Sequence, residues 1–166
     1  MNRFFELNSD RKVVFFLCIA QKATQLINND EQYRIVQAAI EDCWNQILVK
    51  QYDGETLYNY LDDEDNGITI LLETCDDEKK SAAFNCIIDA IAYTSKYAYD
   101  MKLAKYYPEP ISLVSDELVE HLIKCFLNCF SCNSYIEEVL SILSQNEIDK
   151  VKLKGSLSSS VGDVQN

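Results

Sequence analysis

The stretch that decides the fold is DDEKKSAAFNCIIDAIAYTSKYAYDMKLAKYY, residues 76–107. Its mainly apolar positions recur at three- and four-residue steps over several turns, which is the spacing of a helix with one buried face. These positions are Ala83, Phe84, Ile87, Ile88, Ile91, Ala92, Ser95 and Tyr99. Asp76 or Asp77 can cap the start, and Pro108 and Pro110 follow the far end. The sequence therefore predicts one long helix that runs to about Tyr106.

The segments before this stretch continue the helical pattern. Residues 10–28, with Ser9 as a good N-cap, predict an amphipathic helix. Residues 31–50 carry two neighbouring apolar faces, which indicates a helix packed from two sides. One face consists of Ile35, Ala38, Ala39, Cys43 and Ile47, and the other of Val36, Ile40, Trp44 and Leu48. Trp44, in the second of these neighbouring faces, is expected to be largely buried.

Shorter helices complete the chain. Gly54 starts a short helix that ends at an acidic cluster, and ITILLE, residues 68–73, fits either one helical turn or an extended piece. Four Gly and two Pro in 166 residues are too few for the turns of a sandwich or barrel. The prediction is an all-α, single-domain bundle of about six to seven helices over residues 1–154. Residues 155–166 have Ser and Gly without periodicity and are expected to form a disordered, mobile tail.

Composition also predicts the compartment and the state of the cysteines. The sequence shows neither a signal-peptide pattern nor 18 consecutive apolar residues, so we expect a cytoplasmic protein without a membrane partner. Seven cysteines are scattered through apolar segments, and without an export signal they are expected to be reduced, mostly buried thiols.

The charge of the chain is strongly negative and uneven. The net charge of −12 disfavours nucleic acid and anionic lipid as partners and favours basic ones. Residues 53–80 contain ten acids and two bases, so this segment alone carries −8. We call these ten residues the acidic band. They are Asp53, Glu55, Asp62, Asp63, Glu64, Asp65, Glu73, Asp76, Asp77 and Glu78.

Part of this band has nearly the spacing of a twelve-residue calcium loop, from Asp62 to Glu73. The oxygen ligands of such a loop would be the side chains of Asp62, Glu64, Asn66 and Glu73, and Gly67 would supply the positive φ of the turn. Glu64 departs from the usual Asp or Asn, Thr69 replaces an aliphatic residue, and no second loop follows to pair with the first. A calcium-binding regulatory protein is thus one hypothesis. An acidic inter-helix turn is the other.

Catalytic signals are weak. Cys125, Cys129 and Cys132 have the C-x3-C-x2-C spacing of an iron–sulfur loop, with His121 four residues earlier. They lie in an apolar helical pattern that would separate the outer two by roughly 10 Å, so they are interpreted as core residues without a metal or cofactor. His121 is the single histidine, and no nucleophile elbow, phosphate loop or paired carboxylates accompany it. The sequence does not predict an enzyme.

The order of features resembles a known family. VVFFLCIAQKATQLI (13–27) precedes AIEDCWNQI (39–47), which is followed by LYNYLDDEDNGI (57–68) and IIDAIAYTSKYAY (87–99). This order resembles the sixth family of small all-helical immunity proteins of bacterial polymorphic toxin systems. The resemblance covers about residues 10–110, and its most specific part is the Cys43–Trp44 pair with the LY, LD and ED that follow.

The resemblance implies a cytoplasmic protein that binds and neutralises a toxin encoded by a neighbouring gene, without catalytic residues. Many such toxins are nucleases with basic clefts, to which an acidic surface is complementary. The residues we expect at the interface are Asp62, Asp63, Glu64, Asp65, Tyr58 and Tyr60. The alternative for the acidic band is plain solvation.

Overall fold

The computed structural model describes residues 2–159. Within this range the chain forms helices and turns without a strand, which confirms the all-α prediction. The helices are α1 (Asn2–Phe5), α2 (Ser9–Ala23), α3 (Asp30–Leu48), α4 (Gly54–Asp62), α5 (Ile68–Glu73), α6 (Glu78–Met101), α7 (Glu109–Ser112), α8 (Leu118–Phe130), α9 (Ser134–Leu143) and α10 (Lys150–Ser159). Seven of these ten described helices have nine residues or more, close to the predicted number. None of them is long and apolar enough to cross a membrane.

Helix α6 lies at the centre of the molecule. It packs against α2, α3, α4, α5 and α8. Phe84, Ile87 and Ile91, three of the positions that predicted this helix, are fully buried. Asp77 is the N-cap, since its carboxylate accepts the backbone N–H of Lys80 at 2.8 Å. The pattern of residues 76–107 thus identified the central element of the fold.

The predicted end of α6 was wrong by about five residues. The helix ends at Met101, because Leu103 has a left-handed backbone with φ of 53°. The N–H of Ala104 then bonds Tyr99 O at 3.1 Å, and that of Leu103 bonds Asp100 O at 3.0 Å. This is the Schellman arrangement, which usually uses Gly at the left-handed position. Because Leu103 occupies that position, the sequence contains no recognisable signal for the end of the helix.

Helices α2 and α3 build the other side of the core. The N-cap of α2 is Asn8 and not Ser9, because the Asn8 side chain accepts the N–H of Arg11. Trp44 on α3 is fully buried, as predicted. Its indole Nε1 donates to Gln21 Oε1 on α2 at 2.9 Å, so the polar edge of the ring has a partner inside the bundle.

Helix α10 folds back onto α2. The Lys150 ammonium lies 2.8 Å from the Asp10 carboxylate, and Lys154 pairs with Glu41 on α3. The helix continues to Ser159, so residues 155–159 are helical although their composition predicted a tail. The rest of the predicted tail, residues 160–166, lies outside the described residues.

The first turn of α4 is pressed against α6. A Cβ at Gly54 would lie 2.4 Å from the Tyr99 ring and 2.8 Å from Ser95 O. The Ser95 hydroxyl donates to Gly54 O at 2.7 Å and is fully buried. Only glycine allows this close approach. The contact sets the position of α4 and hence of the turn at its end.

Candidate functional site

The turn between α4 and α5 is held by Asp63. Its Oδ1 accepts the backbone N–H groups of Asp65 and Asn66 at 3.0 and 2.6 Å. Its carbonyl oxygen accepts the N–H of Gly67 at 2.9 Å. Asp side chains close turns in this way because their short arm reaches the backbone two or three residues on. The four acids from Asp62 to Asp65 are therefore displayed by an ordered turn, which we call the acidic turn.

Gly67 is needed for a different reason than the sequence indicated. Its φ is −59°, so the predicted positive φ was wrong. A Cβ there would lie 2.6 Å from Asp63 O and 2.7 Å from Leu61 O. The glycine permits the close passage of the chain over the end of α4.

The calcium hypothesis gains no support from this geometry. In the part of the chain that the structure describes, no three His, Cys, Asp or Glu side chains are grouped so that they could hold a metal ion. Asp63, which is not one of the predicted ligands, uses its carboxylate to hold the turn, while Glu73 is the last residue of α5. The twelve-residue spacing here belongs to two helices and the turn between them.

The acidic band is not neutralised within the described residues. All its members except Asp53 are exposed. Five ion pairs of Lys or Arg and the His121–Asp89 contact form elsewhere among these residues, and none of them includes an acid of the band. The acids in those pairs are Asp10, Glu41, Asp89, Asp100, Asp116 and Glu137. The negative charge of the band is thus available to an external cation or basic partner.

The two predicted tyrosine anchors lie in different places. Both are half-buried, but the Tyr58 hydroxyl faces the Asp62 carboxylate beside the acidic turn. The Tyr60 hydroxyl donates to Asp42 Oδ2 on α3 at 2.8 Å. Burial and this carboxylate raise the pKa of Tyr60 to about 12, so the ring stays neutral at physiological pH.

Tyr60 also lines a groove that sequence reasoning missed. The groove has a volume of about 540 Å³ and runs between α3 and α4 to the acidic turn. Its lining residues are Arg34, Ile35, Ala38, Thr56, Asn59, Tyr60, Asp63 and Asn66. The unusually wide apolar face of residues 31–50 is the signal in the sequence, although the pattern alone predicts a face that the core covers on both sides.

The cysteine prediction is confirmed. All seven thiols are free, five are buried, and Cys75 and Cys132 are half-buried. Cys125 and Cys129 are core residues of α8, and Cys132 lies beyond its C-cap. The outer two of the C-x3-C-x2-C set therefore belong to different environments.

A polar contact that the sequence did not reveal joins α6 and α8. His121 Nδ1 lies 2.7 Å from Asp89 Oδ2, and His121 Nε2 lies 3.6 Å from Cys125 Sγ. The order of groups is that of a thiol triad. Cys125, however, is only 7% exposed, and its burial raises the pKa of the thiol to about 11. A nucleophilic cysteine requires the opposite, an accessible thiol with a lowered pKa. The contact therefore stabilises the helix pair without assembling a reactive thiol.

Comparisons with known proteins agree with the resemblance that the order of motifs indicated. The family model described as Immunity protein Imm6 matches residues 11–129. The peptidoglycan hydrolase FlgJ of Pseudomonas aeruginosa is 35% identical over 52 residues, which are 31% of this chain and 13% of that protein. No solved structure matches.

The short segment shared with the hydrolase spans about an eighth of that protein and carries no functional argument. The match to the immunity-protein model is of another kind, because it begins in α2, contains α3 to α7 and ends in α8. It thus includes the acidic turn, the groove and the central helix. The chain belongs to the Imm6 family of immunity proteins.

Proposed function

We propose that this immunity protein binds and neutralises a cognate toxin domain through the acidic turn, residues 62–65, and its surroundings. The observation that carries the proposal is the unpaired acidic band, which gathers most of the net charge into one segment. A partner with a basic surface is attracted to such a region, and the attraction raises the association rate and disfavours wrong partners. A nuclease fits this description, because its cleft must be basic to hold phosphate.

The partner is expected to be the product of a neighbouring gene, and the complex is expected to form in the cytoplasm where the toxin is made. Inhibition by binding needs no chemistry from the immunity protein. The burial of Cys125 supports this view, since the thiol beside His121 is poorly placed to react. Nucleic acid and membranes are unsuitable partners for a chain with a net charge of −12.

The test is the binding kinetics of a variant in which Asp62, Asp63 and Asp65 become Asn and Glu64 becomes Gln. The ligand is the inactivated toxin domain encoded next to this chain, measured at low and high salt. We expect association to slow by about tenfold or more at low salt, and by less at high salt, because rim charges act on the encounter and salt screens them. Asn at position 63 keeps the side-chain oxygen that holds the turn.

A matched control removes four exposed acids outside the band. Its substitutions are Glu117→Gln, Glu120→Gln, Glu138→Gln and Glu147→Gln. The control has the same net charge as the first variant, so its association should remain close to that of the wild type. Equal slowing of the two variants would mean that only the total charge matters. Unchanged association of the first variant at both salts would place the interface elsewhere.

A further inference from the structure

The apolar surface of α3 extends beyond the part that the core covers. Ala39, Cys43 and Ile47 are buried, whereas Ile35 is half-buried and Ala38 is exposed. Ile35 and Ala38 belong to the α3 wall of the groove of about 540 Å³ described above. Concave sites of this size with apolar walls are typical binding sites for a side chain or small ligand.

Tyr60 gives the groove a rigid aromatic surface. Its hydroxyl is bound to Asp42 across the two helices, so the ring is held before any partner arrives. An aromatic ring whose polar end is already satisfied can contact an apolar group with little loss of conformational entropy. Packing against the ring therefore favours an apolar side chain over a charged one inside the groove.

The rim of the groove, in contrast, favours a cationic group. Asp63 and Asn66 line the groove where it meets the acidic turn, and Asp62, Glu64 and Asp65 are exposed beside them in the chain. Arg34 lies on the α3 wall. A cation is therefore attracted towards the turn and repelled from the Arg34 side. This charge asymmetry favours an occupant whose cationic group lies on the side of the acidic turn.

We propose that the groove between α3 and α4 receives an apolar side chain of the cognate toxin domain, with a neighbouring Lys or Arg of the toxin against Asp63 and the acidic turn. This inference rests on the proposed function and adds the place and chemistry of the anchor. The two parts act differently. The acidic turn accelerates association, while a buried apolar anchor in a desolvated pocket lengthens the life of the complex.

The experiment fills the groove from each wall. Ala38→Trp adds bulk from α3, and Asn59→Trp adds it from α4; both positions are exposed, so the core is untouched. The control is Ser141→Trp, an equally neutral change at an exposed position of α9. Binding to the inactivated toxin domain and the melting temperature are measured for all four proteins.

We expect both groove variants to bind at least about tenfold more weakly, mainly through faster dissociation, with a melting temperature near that of the wild type. Ser141→Trp should bind as the wild type does. Wild-type kinetics for folded Ala38→Trp and Asn59→Trp would overturn the groove and leave the proposed function standing. Failure of the wild type itself to bind the toxin would overturn the proposed function.

Discussion

Asp89 lies in the middle of α6 and is 6% exposed. A carboxylate in such a place loses most of its hydration, and among the described residues its side-chain hydrogen-bond partner is His121 on α8. Burial raises the pKa of Asp89 from 3.8 to about 6, while the imidazole acts in the opposite direction. The folded protein therefore keeps a proton on this group at a pH where the unfolded chain has released it.

This difference gives a pH dependence of stability with a definite sign. Between pH 4 and 6 the folded state binds one proton more than the unfolded state, so the contribution of Asp89 falls as pH rises through this window. Urea unfolding of the wild type and of Asp89→Asn should show a stability difference that is most favourable to the wild type near pH 4. That difference should shrink up to about pH 6 and then stay level.

The companion variant His121→Gln removes the partner and leaves the buried carboxylate. Since burial is the larger cause of the raised pKa of Asp89, the contribution of Asp89 to the free energy of unfolding should still fall with rising pH in this variant, as it does in the wild type. If the stability of the wild type relative to Asp89→Asn instead grew with pH, Asp89 would be ionised and stabilised by His121 in the folded protein.

At the scale of single elements, the first turn of α4 makes a tight packing contact with α6 close to the site. Gly54→Ala would place a Cβ 2.8 Å from Ser95 O, a backbone atom of α6 that cannot move alone. We expect the free energy of unfolding to fall by about 1 to 3 kcal/mol, as for other overpacked sites. Chemical denaturation at neutral pH measures it.

Gly155 on α10 is the matched control, because nothing lies within 4 Å of a Cβ at this position. Ala in a helix interior should stabilise the protein by about 0.5 to 1 kcal/mol relative to Gly. The two glycine substitutions should thus have opposite signs. A loss of stability in Gly155→Ala would contradict the open space around position 155.

Helical periodicity predicted the elements well and their ends less well. The central helix, the buried Trp44 and the free thiols follow from local spacing and composition, which a single sequence contains. The end of α6 does not follow from them, because Leu103 has the left-handed backbone conformation at a position where a sequence usually has Gly. The Asp89–His121 contact joins residues 32 positions apart and appears only when α6 meets α8.

The groove illustrates the same limit for the site. The sequence revealed that residues 31–50 have more apolar surface than one packing face needs. Whether a neighbour covers that surface depends on where α4 lies, and Gly54 and Ser95 set this position through α6. A pattern within one helix contains no information about the distance between α3 and α4.

At the scale of the whole molecule, the acidic band repels itself. Its charges form no ion pair among the described residues and all but Asp53 are exposed, so we expect the folded state to hold them closer together than the unfolded chain does. Raising sodium chloride from about 0.02 to 0.3 M shortens the screening length to under 10 Å and weakens this repulsion. The melting temperature of the wild type should rise more than that of the variant neutralised at residues 62–65. Equal rises would mean that the turn contributes no net repulsion.

The unpaired band also bears on how many copies of the protein persist in a cell. A basic partner relieves the repulsion and, by mass action, lowers the fraction of time that the chain spends unfolded. Proteases act on unfolded chains, so copies without a partner are removed faster than copies in the complex. Under the proposed function, the exposed acids that attract the toxin would therefore also make the supply of free immunity protein depend on continued synthesis.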